Sequence, residues 1–188
     1  WATAGLVILV AALGAYQVAT GEPTKLPRKD GTLSSPIDPS DWTKGAKTPK
    51  ATIVEYSDFQ CPACALYYPL LESVFAEYKD TVSFTYRHFP LTQHKNAVIA
   101  ARAGEAAGNQ GKFWEMADLL FKNQTYWAEL SADGAQKVFE GYAETLKLDV
   151  ARFKTDAASE AAGDQIDADQ KSGLLSAVDQ TPTLFING

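Results

Sequence analysis

Cysteine is almost missing from this chain: 188 residues hold two, Cys61 and Cys64. So sparse a supply excludes a disulfide-stapled fold, and leaves the single pair as a working part. Histidine is equally scarce, at His88 and His94, and methionine occurs once, at Met116. Structural zinc takes four ligands, usually as two spaced pairs. No second pair exists, so a zinc or copper centre would have to be gathered from scattered residues, and no metal ligand set is assigned. Positive charge is also short, with 17 Lys and Arg against 23 Asp and Glu and a net charge of −6. Without a basic stripe to offset that balance, nucleic acid is excluded as a partner. No repeat of fixed period runs along the chain, which excludes a solenoid.

What is present is concentrated in Asp58-Phe59-Gln60-Cys61-Pro62-Ala63-Cys64. The preceding Thr52-Ile53-Val54-Glu55-Tyr56 is β-branched and strand-like, and apolar residues at helical intervals follow from Leu66 to Tyr78. A CxxC where a strand feeds a helix is a redox signal. Pro62 suits the first helical turn, where its missing N–H has no partner to lose. Cys61 then stands at the positive end of the helix, where the dipole and free amides favour a thiolate, with Cys64 one turn further in. These positions predict Cys61 as the nucleophile and Cys64 as the resolving thiol. The competing readings are half of a zinc site, a purely structural disulfide and, from another functional class, a CxxC metallochaperone.

Charge is missing altogether from Trp1 through Ala19, around the apolar Leu6-Val7-Ile8-Leu9-Val10. The run approaches the ~20 residues that span a bilayer. With no small-x-small cleavage site after it, residues 1–20 are expected to be a retained membrane anchor rather than a cleaved signal. The chain opens on Trp1 rather than Met, so an upstream portion carrying the positive flank is expected. Residues 21–50, with Pro23, Pro27, Pro36, Pro39 and Pro49 among Gly, Ser, Lys and Asp, read as a linker. The expected location is the cell membrane, with the catalytic domain outside the cytoplasm on the periplasmic or cell-wall side, where disulfide chemistry is permitted.

The folded part is expected over 51–188. A helix from Pro62 to about Lys79 would pack Leu66, Leu70, Leu71, Val74, Phe75 and Tyr78 onto a sheet, with a bend at Pro69. Val82 to Phe89 alternates as a strand, completing a strand–helix–strand unit with parallel pairing. From about 95 to 176 the sequence reads as helical, in segments Val98–Ala107, Phe113–Phe121, Val138–Leu146 and Ile166–Leu175, broken at Gly108-Asn109, Asn123 and Asp133-Gly134. Strand character returns at Thr183-Leu184-Phe185-Ile186, and Asn187-Gly188 signals a hairpin whose second strand is expected to follow.

Four ordered elements, Val54 to Cys64, Tyr86-Arg87-His88-Phe89-Pro90-Leu91, Gly111-Lys112-Phe113-Trp114-Glu115 and Thr181 to Gly188, together resemble the DsbA-like branch of the thioredoxin superfamily, closest to its tethered BdbD-type members. The resemblance implies an α/β, thioredoxin-like fold with an inserted all-helical subdomain, preceded here by the membrane helix and linker. It implies that Cys61 forms the mixed disulfide, that Cys64 resolves it, and that the bond before Pro182 is cis and faces the dithiol. The Thr181 backbone would hold an extended substrate strand, with Pro62 and Ala63 beside it. Glu55, six positions before Cys61, resembles the acid beneath the dithiol and would exchange a proton with Cys64. Ala63 stands where DsbA has a thiolate-stabilising histidine, which implies a dithiol short of the most oxidising. His88 and His94 are read as structural. The implied activity is donation of the disulfide to exported cysteine-containing proteins, with reoxidation by a membrane quinone-linked thiol oxidase of the DsbB or VKOR kind, and no cofactor. An isomerase or reductase is the alternative within the same chemistry.

Overall fold

The computed structural model describes residues 31–188. The anchor expected over 1–20 and the first part of the expected linker lie outside the described residues. Among those described, no helix is long and apolar enough to cross a membrane.

Four strands form one sheet in the order β1-β3-β2-β4: β1 Trp42–Gly45, β2 Ala51–Ser57, β3 Val82–His88 and β4 Thr183–Ile186. β2 and β3 are parallel, joined by helix α1, Pro62–Tyr78, while β1 and β4 flank them antiparallel. The expected strand–helix–strand unit is therefore present. Strand alternation sends Val54 and Tyr56 to one side and Glu55 and Ser57 to the other. On the first side Tyr56 and Val54 pack with Phe89, Val178 and Phe185. On the second, Tyr86 and His88 of β3 join Phe59 and Phe113 in a block of aromatic rings.

Six helices fill the stretch between β3 and β4: α2 Ala97–Gly108, α3 Phe113–Lys122, α4 Gln124–Trp127, α5 Ala132–Thr145, α6 Val150–Ala158 and α7 Glu160–Leu175. α2 is the central one, buried along nearly its whole length, and its alanines and glycines let neighbours come close. A Cβ on Gly104 would press on Phe59 and Phe113 at 3.1 and 3.2 Å, and one on Gly108 would overlap Trp42. Asp133-Gly134, read as a break, instead lies in the first turn of α5. Ser131 caps that helix by accepting from the Gly134 N–H, and Asp133 suits its positive end. Asp149 and Ser159 cap α6 and α7 likewise, so α7 starts six residues before the expected Ile166.

Two further expectations are corrected. The folded part begins earlier than residue 51, because β1 pairs with β3 and Leu33 and Ile37 pack against the Tyr56 cluster. The buried Arg87 guanidinium grips Asp41 through two bonds of 2.7 and 2.8 Å and also bonds Ser35 and Pro36. Such a buried pair fixes the segment to the sheet, and removing one partner would cost about 3–5 kcal/mol. Helix α1 also presents a different face from the one expected. Cys64 and Tyr68 point inward, with Leu71 and Phe75 half-buried behind them, while Leu66 (76% exposed), Leu70 (58%), Val74 and Tyr78 face outward. The helix carries two apolar stripes, and periodicity alone does not say which one meets the sheet.

Candidate active site

The segment between β2 and α1 is held by a single carboxylate. Asp58 accepts the Gln60 N–H at 2.7 Å on one oxygen, and the Leu91 N–H at 2.9 Å on the other, which also meets His94 Nδ1 at 2.7 Å. Its backbone carbonyl accepts the Cys61 N–H at 3.0 Å. From the helical insertion, Gln124 donates through Nε2 to the carbonyls of Phe59 (2.7 Å) and Cys61 (2.9 Å). The loop is thus fixed on both sides before the helix begins. Cys61 sits at the helix cap in extended conformation and Pro62 takes the first helical position.

Both cysteines are free thiols. Cys64 is 1% exposed and Cys61 6%, so the expected nucleophile is less open than its place at a helix start suggests. The reason is the loop before β4: the Cys61 thiol donates to the Thr181 carbonyl at 3.4 Å, and Thr181 itself is buried. The Thr181–Pro182 bond is cis. Exposed Pro62 and Ala63 and half-buried Pro182 frame the approach to the sulfur. Burial pushes the Cys64 thiol well up, more than the Ser57 hydroxyl, the Asp58 amide and the Thr181 hydroxyl pull it down.

Glu55 points inward on the sheet face that carries Ser57, opposite Tyr86 on β3 and Leu184 on β4, and is 3% exposed; it and Cys64 both act on the Tyr86 phenol. Desolvation raises its pKa from 4.5 to about 7, against a smaller lowering by the Ser57 hydroxyl, with Glu72 raising it and Lys44 lowering it. Lys44 and Glu72 form an ion pair at the outer end of this region, the ammonium lying over the rings of Trp114 and Phe75. A carboxyl half-protonated at neutral pH therefore lies near a thiol that resists ionisation.

The structure brings Cys61, Cys64, Thr181, Pro182, Pro62 and Ala63 to one place with Glu55 nearby. Four contributors escaped the sequence reading. His94, read as structural at a helix start, bonds the carboxylate that holds the Cys61 loop. Gln124 and Lys44 arrive from elements whose packing no local pattern announces. Ser57 was legible, because two residues beyond Glu55 on a strand is the same face. His88 bonds Glu105 at 2.9 Å within the aromatic block, consistent with its structural reading. Among the described residues no group of three or more His, Cys, Asp or Glu converges as a metal site would require.

The thioredoxin family model matches residues 38–188. A Na(+)/H(+) antiporter NhaA 1 of Salinispora arenicola is 41% identical over 159 residues, which are 83% of this chain and 23% of the antiporter, and the chain spans about a quarter of the length of the curated relatives it matches. Among solved structures, Pseudomonas aeruginosa DsbA2 is 28% identical with a TM-score of 0.66, covering 80% of this chain and 82% of that one. Oxidised BdbD from Bacillus subtilis shares the fold at 21% identity and a TM-score of 0.69, covering 83% and 86%. A cap-position cysteine, a buried partner one turn on, a facing cis-proline loop and a helical insertion after β3 agree with these matches, and the chain belongs to the thioredoxin family, as a DsbA-like member with a site built for thiol–disulfide exchange.

Proposed function

We propose that this domain is an extracytoplasmic protein thiol–disulfide oxidoreductase that donates its Cys61–Cys64 disulfide to exported cysteine-containing proteins. A client thiolate attacks the Cys61 sulfur, the enzyme's S–S bond breaks, and the client is joined to Cys61 while Cys64 leaves with the electron pair. The client's second thiolate then attacks its own bridging sulfur and releases Cys61. Two electrons have passed from the client dithiol to the enzyme disulfide. A quinone-linked thiol oxidase of the DsbB or VKOR kind in the membrane restores the disulfide.

The observation that carries this reading is the difference between the two sulfurs. Cys61 lies at the helix cap behind exposed Pro62 and Ala63, whereas Cys64 is sealed near a protonatable Glu55. Glu55 with a pKa of about 7 holds a proton for a leaving Cys64 thiolate whose own thiol binds it more tightly. Transfer in that direction supplies the proton that Cys64 takes up when the enzyme disulfide opens. Membrane attachment through residues 1–20, with the domain outside the cytoplasm, belongs to the same proposal. It is supported by the charge-free Trp1–Ala19 run and by relatives named as Na(+)/H(+) antiporters that are far longer than this domain.

The test is trapping. Cys64→Ala is expected to accumulate mixed disulfides with exported proteins, seen as reducible high-mass bands, because the internal thiol that would expel a stalled client is gone. Cys61→Ala is expected to trap none. Equal trapping by both variants, or none by either under oxidising growth, would overturn the reading.

A further inference from the structure

Ser57 is buried in the dithiol region without a fixed hydrogen-bond partner. It is 1% exposed on the face of β2 that carries Glu55, and its hydroxyl oxygen makes no direct hydrogen bond. The Tyr86 and Thr181 hydroxyls nearby are buried and unpaired as well. Buried hydroxyls ordinarily find partners, and leaving one unmet costs about 1–3 kcal/mol. Three together beside one thiol and one carboxyl need a reason. The Ser57 hydroxyl is close enough to act on three titratable groups at once: the Cys64 thiol, the Glu55 carboxyl and the Tyr86 phenol. Tyr86 stands opposite Glu55 in the register of the two strands.

We infer that Ser57 is the proton relay of this site, its hydroxyl passing a proton from the Glu55 carboxyl to the Cys64 sulfur when the enzyme disulfide opens. A hydroxyl both donates and accepts, and one without a fixed partner can turn from one neighbour to the other. As the client–Cys61 bond forms and the Cys61–Cys64 bond breaks, the Ser57 Oγ proton moves to the Cys64 thiolate. The Glu55 proton moves to the Ser57 oxygen, and Glu55 ends as a carboxylate that takes its next proton from solvent. Resolution by Cys64 runs the same chain backwards. Burial keeps the Tyr86 phenol protonated, so it holds its own proton while the relay works and supplies none to the Cys64 sulfur. The other groups facing this region are Lys44 from β1, His88 from β3, which stands opposite Ser57 in the register and is bonded to Glu105 of α2, Glu72 and Tyr68 from α1, and Asp58 and Cys61 from the loop and cap. Of these, Lys44 and Glu72 shift Glu55 in opposite senses and leave burial dominant.

The inference rests on the proposed exchange reaction, and the test separates the two. The oxidised 188-residue chain is mixed with a labelled synthetic peptide carrying two cysteines, and the single-turnover rate is followed in H2O, D2O and mixtures. Ser57→Thr and Ser57→Val have the same shape and differ in the hydroxyl. Ser57→Val is expected to be slower by about a hundredfold, at the lower end of the range for a positioned acid–base group, and Ser57→Thr close to wild type. The dependence on deuterium fraction is expected to be curved for wild type and Ser57→Thr, as two moving protons require, and straight for Ser57→Val. Combining Ser57→Val with Glu55→Gln is expected to slow the reaction no more than Glu55→Gln alone, since one chain cannot be cut twice. If Ser57→Val does not fold, Ser57→Ala serves, with the same expected loss. A hydroxyl-free variant as fast as Ser57→Thr, while Glu55→Gln is slow, would overturn the relay and leave exchange standing. No exchange by the wild-type chain would overturn the exchange reading itself.

Discussion

Glu55 and Asp169 are both carboxyls shut inside this protein, and desolvation lifts each to a pKa of about 7. Their surroundings are opposite. Asp169, on α7, accepts the His88 backbone N–H at 2.9 Å on one oxygen and the Gln165 side-chain amide at 3.1 Å on the other. One oxygen joins α7 to the end of β3 and the other is committed within α7 itself. Glu55 lies beside the Ser57 hydroxyl, which has no fixed partner and also acts on the Cys64 thiol. A raised pKa alone therefore does not distinguish a group that exchanges protons from one that holds a helix in place. The partners distinguish them.

The largest expected effect separates the two in rate. Glu55→Gln should slow single-turnover oxidation of a dithiol peptide at pH 7 by about a hundredfold, at the lower end of what a positioned acid supplies. Asp169→Asn, assayed where it is folded, should leave that rate unchanged. A comparable slowing by both would erase the distinction.

Next in size is the dependence of stability on pH. Each carboxyl titrates higher folded than unfolded, so the folded state holds the extra proton. The stability this contributes is complete below the ordinary value, 4.5 for Glu55 and 3.8 for Asp169, and is lost as pH rises through about 7. For Glu55 the loss is on the order of 3 kcal/mol. Denaturant unfolding from pH 4 to 8 should show the decline in wild type and a shallower one in Glu55→Gln, which stays neutral throughout. A steeper decline in the variant would reverse the sign argued here.

Smaller still is the structural role of Asp169, isolated at pH 5, where both carboxyls hold protons. Asp169→Ala should cost about 1–3 kcal/mol by leaving the His88 N–H unpaired in the interior, while Glu55→Gln should be near neutral in the same unfolding measurement. The smallest effect is the surface reference. Glu129, whose side chain is 88% exposed in its pair with Lys95, should shift stability by less than about 0.5 kcal/mol as Glu129→Gln.

The active half of this comparison was mostly legible in the sequence, because its parts are local. A β-branched run, a CxxC and a proline at a helix start lie within a dozen residues, and period two carries Glu55 and Ser57 to one face. The structural half was not legible. His88 meets Asp169 across 81 residues, and His94 reaches Asp58 across 36, distances at which no periodicity speaks. β1 is four residues long inside a Pro- and Gly-rich stretch, and its pairing with β3 and the Arg87–Asp41 ion pair make it part of the sheet. Helix α6 and the start of α7 carry few large apolar residues, so their caps at Asp149 and Ser159 mark them better than any apolar stripe.

The most direct test of the central claim, that Glu55 supplies the proton Cys64 needs, is the pH profile of the single-turnover rate with a fully ionised small thiolate as attacking group, compared between wild type and Glu55→Gln. The wild-type rate is expected to fall as pH rises through about 7, where the buried carboxyl gives up its proton, and the variant is expected to be slow and flat across that range. The same inflection near pH 7 in both proteins would contradict the account.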